Sequence, residues 1–349
     1  MIVSATTNNY QDALTGGHDK RDESSAAIKR DAGNGINAGL TDMTMEFSRI
    51  STLAPVANVV AQLGECPRWD ERHGVLWWVD IVAPALHGLN PANGDVRTLS
   101  MDEDIGCFAL TEDGGFIAGM RSGVWLLDGD GRKLRQLHAL DEDTVTHRFN
   151  DGRCDAAGRF WASTVDEPKT HGDASLYCVS GAQGEAIARI DTGFMTGNGL
   201  AFSPDGRWLY YSDTPRFTVY RRAFDVATGN VGPRETWLTF TPTETDRGRP
   251  DGAAVDAAGC YWSALYEGGR VVRISPEGKV LAEYALPVQC PTMCAFGGDD
   301  LRTLYVTTAR AGRPADELAR QPLAGRLFAM RVDVPGSPEP RSALRTTTT

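Results

Sequence analysis

The stretch "TGNGLAFSPDG" (residues 196–206) sets Asn198 just before a short apolar run and closes on Ser-Pro-Asp-Gly. It reads as turn, strand and turn. Related stretches recur along the chain: "PRWDERHGVLWWVD" (67–80), "FALTEDGGFIAGM" (108–120), "RCDAAGRFWASTV" (153–165), "AFSPDGRWLYYSD" (201–213), "AVDAAGCYWSALY" (254–266) and "AFGGDDLRTLYVTTA" (295–309). Each is a small apolar strand, a turn of the Asp-x-x-Gly kind and an aromatic-rich strand. The turns begin at Asp70, Glu112, Asp155, Ser203, Asp256 and Gly297. Their spacing of about 40 to 50 residues is the period of four-stranded propeller blades.

Two further strands complete a unit. After "WLYYSD" (208–213) come "TVYRRAFD" (218–225) and "ETWLTF" (235–240). The last unit is one strand short, since "TLYVTTA" (303–309) is followed only by "RLFAMRVDV" (326–334). The run "ANVVAQL" (57–63) is placed to fill that gap, and closing the ring would remove an exposed sheet edge. The expectation is an all-β fold: a six-bladed β-propeller with four-stranded blades over residues 52–340, closed by an N-terminal strand. A β-sandwich could space its hairpins similarly. Sandwich strands rarely share one phrase six times.

Residues 1–51 are rich in Asp, Asn, Gly, Ser, Thr and Lys without sustained periodicity, and read as a disordered extension. Residues 341–349 read as a flexible tail. The formal charge of −11 argues against nucleic acid as a partner. No stretch approaches the roughly 18 consecutive apolar residues of a membrane-spanning helix, and no secretory signal opens the chain. Seven cysteines without a CxxC pair do not form a disulfide framework, so a reduced, cytoplasmic protein is expected, a monomer or weak homo-oligomer.

Five residues before each turn stand Glu65, Cys107, Asn150, Asn198, Asp251 and Thr292. Equal positions in a repeat occupy equivalent places, so these six should ring the central channel. Taken singly, Asn-Gly and Asp-Gly are ordinary turn dipeptides. Glu65 is not a turn residue, however, and Glu65, Asn150, Asn198 and Asp251 share one register. Such oxygen donors suit a hard divalent cation such as Ca²⁺, Mg²⁺ or Mn²⁺, and the same set can hold Zn²⁺ or Fe²⁺. Three or four protein ligands leave coordination positions open, as at a catalytic site. No Gly-x-Ser-x-Gly elbow is present to support a serine hydrolase.

The motifs "LGECPRW" (63–69), "RFNDGRCDAAGRFW" (148–161), "NGLAFSPDG" (198–206), "RPDGAAVD" (249–256) and "FGGDDLRTLYVTTAR" (296–310) resemble, in order, those of the regucalcin/gluconolactonase family of sugar lactonases, the senescence-marker-protein-like proteins. The resemblance covers roughly residues 55–335. It implies hydrolysis of an aldonolactone (glucono-, xylono-, arabino- or galactonolactone) to the aldonic acid, dependent on one divalent metal ion. It implies Glu65, Asn198 and Asp251 as metal ligands, with Asn150 near the metal shell. Arg148 and Asn150 would contact the substrate, and Glu167 would help hold sugar hydroxyls. Asp251 is the expected general base, and Tyr266 a lining residue of the pocket. Cys66 stands where the family usually has glycine; strand alternation makes it a small buried thiol. Two other readings are a paraoxonase-like lactone or phosphotriester hydrolase and a non-enzymatic calcium-binding propeller.

Overall fold

The computed structural model of the chain describes residues 52–346. The expected extension 1–51 lies outside the described residues.

The repeated phrase folds the same way in the third and fifth blades. In "DAAGRFW", Asp155 Oδ1 accepts from the N–H groups of Ala157 (2.9 Å) and Arg159 (3.1 Å), closing the turn, while Oδ2 accepts from Trp161 Nε1 at 2.8 Å. In "DAAGCYW", Asp256 does the same, with Trp262 Nε1 donating to Oδ2 at 2.9 Å. The glycines Gly158 and Gly259 sit at φ +78° and +83°, where a side chain would be strained. One carboxylate thus ties the turn to the tryptophan that packs the next blade interface. Trp262 stacks on Tyr284 and meets Phe296 edge-on, with centroids 5.0 and 5.4 Å apart.

Six antiparallel four-stranded sheets result. Their innermost strands are Gly64–Asp70, Ile105–Leu110, His147–Cys154, Gly197–Phe202, Arg249–Val255 and Pro291–Gly297. In the first five sheets the strands follow in chain order from the axis outward. In the sixth, Pro291–Gly297, Thr303–Thr308 and Phe328–Arg331 are followed by Ala54–Pro55. Close approach at the axis depends on glycine. A Cβ on Gly106 would lie 2.1 Å from the Phe149 carbonyl oxygen, and one on Gly252 2.4 Å from Met293.

The strand expected at 57–63 is a correction. Only Ala54 and Pro55 pair with Phe328–Arg331, opposite Ala329 and Phe328. The apolar run is drawn off the sheet edge by other partners: the N–H groups of Gln62 and Leu63 donate to Asp80 at 2.7 and 3.1 Å, and Ala61 N–H to Gly325 O at 2.8 Å. Residues 341–346 also differ from a free tail. Ser342 and Leu344 are buried, Ser342 bridges Thr111, and Arg341 pairs with Asp70. Residues 347–349 lie outside the described residues.

Every innermost strand carries a register shift where the ring residues stand: between Glu65 and Arg68, Ile105 and Cys107, Phe149 and Gly152, Asn198 and Ala201, Pro250 and Ala253, and Pro291 and Met293. Bulges of this kind re-aim side chains beside functional sites. Cys66 lies in the first, at φ +49°, and its counterpart Gly199 in the fourth, at φ +60°. That backbone geometry favours glycine. The Cys66 thiol is buried, accepts from Phe108 N–H at 3.3 Å, and is pushed up to about 12 by burial. It is a packing group.

Candidate active site

The bulges turn four ring residues into one cleft. Glu65, Asn150, Asn198 and Asp251 line a depression of about 270 Å³ together with Arg148, Lys169, Thr214, Arg249 and Tyr266. A larger depression, about 580 Å³, lies between blades one and two around Asp70, Trp77 and Asp128 and contains none of the ring residues. The "LLDGDG" stretch borders it as the hairpin between outer strands.

A hydrogen-bonded chain runs across three blades. Arg148 Nη1 donates to Asn150 Oδ1 at 2.9 Å, Asn150 Nδ2 to Asn198 Oδ1 at 2.9 Å, and Asn198 Nδ2 to Asp251 Oδ1. Thr214 Oγ1 accepts from Asn198 Nδ2 at 2.9 Å and lies 3.3 Å from Asp251 Oδ1. Glu65, Asn150, Asn198 and Asp251 are all buried. Glu65 Oε1 and Asp251 Oδ2 accept no hydrogen bond from the described residues, whereas Glu65 Oε2 accepts from Cys66 N–H at 3.3 Å.

Burial pushes the Glu65 carboxyl well above its usual range, and the nearby Asp251 and Asp151 charges push it further. Burial raises Asp251 as well. Two desolvated carboxylates with free oxygens, flanked by two amides, form a donor set that fits a divalent cation, whose charge would relieve their mutual repulsion. The two amides can present oxygen to it by turning about χ2.

Glu167 is placed beside the cleft rather than in its lining. Its Oε1 accepts from Arg148 Nε and Arg121 Nη2, both at 3.1 Å, and its Oε2 from Arg121 Nη1 at 2.9 Å. Its carboxylate braces Arg148. Tyr266 lines the cleft as expected. Cys107 packs in the core, and Thr292 Oγ1 donates to the Gly64 carbonyl, so neither joins the site.

Two cations were missed by sequence reasoning. Lys169 sits on the loop after the third blade's second strand at φ +58°, a conformation that is costly for a side-chain-bearing residue. The residue is exposed as a whole, yet it lines the cleft. Desolvation there, with the Arg148 charge, pulls it down to about 8. No ion pair to Lys169 forms among the described residues, whereas Arg249 is held by Glu267 at 2.8 Å. An unusual backbone conformation is invisible in a sequence, and "DEPKTHGD" looks like any polar loop. Beside this loop, His147, Asp166 and Asp173 bring donor atoms within 4.8 Å of one another, a cluster able to hold a metal ion.

Residues 63–310 match the SMP-30/gluconolactonase/LRE-like family model. The chain is 49% identical over 289 residues to a 6-deoxy-6-sulfogluconolactonase of Pseudomonas putida, covering 83% of this chain and 98% of that protein. It is 34% identical to regucalcin of Xenopus laevis, over 78% and 92% of the two chains. Among solved structures, a calcium-binding regucalcin from Agrobacterium tumefaciens superposes with a TM-score of 0.78 at 28% identity, covering 84% of this chain and 97% of that one. A propeller with polar groups converging at its axis is thus the fold and site of this chain, which belongs to the SMP-30/gluconolactonase/LRE-like family.

Proposed function

We propose that the cleft hydrolyses the ester bond of a sugar lactone that carries an anionic substituent, with a divalent cation held by Glu65, Asn198 and Asp251 and approached by Asn150. Family membership and the 49% identical sulfosugar lactonase support a lactone hydrolase. The observation that carries the anionic substrate is the set of three cationic side chains, Arg148, Lys169 and Arg249, lining a cleft whose floor is acidic. The floor suits a cation and the walls suit an anion.

When bound, the cation would draw charge from the lactone carbonyl oxygen. The side chains divide the remaining work. Asp251, buried and with Oδ2 uncommitted, takes the proton from attacking water. Arg148 is locked by Glu167 and Asn150 and presents fixed donors to ring hydroxyls. Lys169 and Arg249 receive a sulfonate or similar group, Lys169 being the cation without a carboxylate partner among the described residues. Tyr266 forms an apolar wall. Calcium is supported by the regucalcin relatives and by the oxygen-only donor set.

The test is a panel of aldonolactones with and without a 6-sulfonate, assayed beside a phosphotriester with defined metals. Preferred turnover of the sulfonated lactone supports the reading. Preferred turnover of the phosphotriester would favour paraoxonase-like chemistry, and no turnover of any substrate a binding propeller.

A further inference from the structure

We infer that His147, Asp166 and Asp173 form a divalent-cation site of the Zn²⁺ type, separate from the axial ring, that fastens the loop bearing Glu167 and Lys169 over the cleft.

Second strands end in aspartate in blades one, three and four, and a comparison singles out Asp166. Asp80 uses both oxygens, Oδ1 for Leu63 and Ala83 N–H and Oδ2 for Gln62 N–H, at 2.7 to 3.1 Å. Asp213 likewise receives Thr196 N–H on Oδ1 (3.2 Å) and Met195 N–H on Oδ2 (3.1 Å). Asp166 gives Oδ2 to three N–H groups, those of Thr170, His171 and Gly172, at 2.9, 2.7 and 3.1 Å. Its Oδ1 is buried with no hydrogen-bond partner, and the residue is fully buried. A buried carboxylate oxygen without a partner is costly unless a cation or proton meets it.

His147 is prepared for the same role. Thr146 Oγ1 lies 3.0 Å from His147 Nδ1 and, with its own proton turned to the Asp143 carbonyl oxygen at 3.3 Å, can accept from Nδ1–H. His147 Nε2 faces Asp173 Oδ1 at 2.9 Å, and the tautomer with its proton on Nδ1 turns the Nε2 lone pair toward the two carboxylates. The outer hydrogen bond to Nδ1–H is the usual support of a metal-bound imidazole.

One nitrogen and two carboxylate oxygens suit Zn²⁺ better than Ca²⁺. Two ligands at about 2.1 Å from one ion lie at most ~4.2 Å apart, so the present 4.8 Å limit closes with a small inward shift of the exposed Asp173. His171 Nδ1, 4.0 Å from Asp166 Oδ1, is a fourth donor in reach.

The experiment is Zn²⁺ titration of chelator-stripped full-length protein by calorimetry, checked by elemental analysis, for wild type, Asp173→Asn, His147→Gln and Glu65→Gln. Asp173 is exposed, so Asp173→Asn should fold. The expected result is a Zn²⁺ equivalent that Asp173→Asn and His147→Gln weaken at least 10-fold and Glu65→Gln leaves in place. In Glu65→Gln that equivalent should slow hydrogen exchange in residues 167–173. Zn²⁺ binding untouched by Asp173→Asn and His147→Gln, or no Zn²⁺ binding at all, would overturn the site. Loss of the ring equivalent alone in Glu65→Gln bears only on the proposed catalytic ion.

Discussion

Arg148 and Asn150, two positions apart on one innermost strand, are joined by a 2.9 Å hydrogen bond from Nη1 to Oδ1, and Glu167 accepts from the same guanidinium at 3.1 Å. Arg148 is therefore a braced donor with a fixed aim. Arg148→Ala should raise KM for the lactone about 10- to 100-fold, the worth of a charge-assisted hydrogen bond, with metal content intact. Arg148→Lys should not rescue it, because an ammonium cannot hold Asn150 and Glu167 in a planar fork. Steady-state kinetics on both variants checks this.

Asp251→Asn keeps an oxygen beside Asn198 and Thr214 but removes the basic lone pair. The variant should bind the divalent ion nearly as well while kcat falls about 10²-fold or more. Elemental analysis and kinetics on the same sample read the two effects separately. Unchanged kcat would remove Asp251 from the role of base.

Lys169→Ala should discriminate between substrates. KM should rise about 10-fold for a 6-sulfonated lactone, the cost of losing one charged contact, and stay level for the neutral lactone. Equal effects on both would place Lys169 outside anion recognition.

The carboxyls of Glu65 and Asp251 are raised in the folded protein. Folded protein without metal therefore holds more protons than the unfolded chain once pH exceeds the ordinary carboxylate range near 4. Stability from this pair is present at low pH and is lost as pH rises. Melting curves of metal-free wild type should fall more steeply from pH 5 to 8 than those of Glu65→Gln. Added divalent cation should flatten the slope and release protons on binding. Identical slopes in the two proteins would contradict the coupling.

The blades were legible because their signal is local. Asp155 and Asp256 cap their own turns and bind a tryptophan six residues on, so the phrase survives in sequence. The ring residues followed from counting back from those turns, and four of the six positions reached one cleft. Features settled by distant partners were not legible. Asp80 draws the 57–63 run away from the sheet edge, a decision made 17 and 18 residues downstream. Lys169 depends on a left-handed backbone, and His147 meets Asp166 only through the pairing of two strands. Strand alternation predicts a buried Cys66 thiol, and the thiol is buried, though a bulge rather than alternation governs its position.

The most direct test compares lactone turnover by wild type before chelation, after chelation, and after a divalent cation is restored, with Glu65→Gln carried through the same steps. Turnover should fall at least 100-fold on chelation and return with added cation in wild type, and Glu65→Gln should recover only at much higher cation concentration. Full turnover by the metal-free wild-type protein would contradict a catalytic cation at Glu65, Asn198 and Asp251.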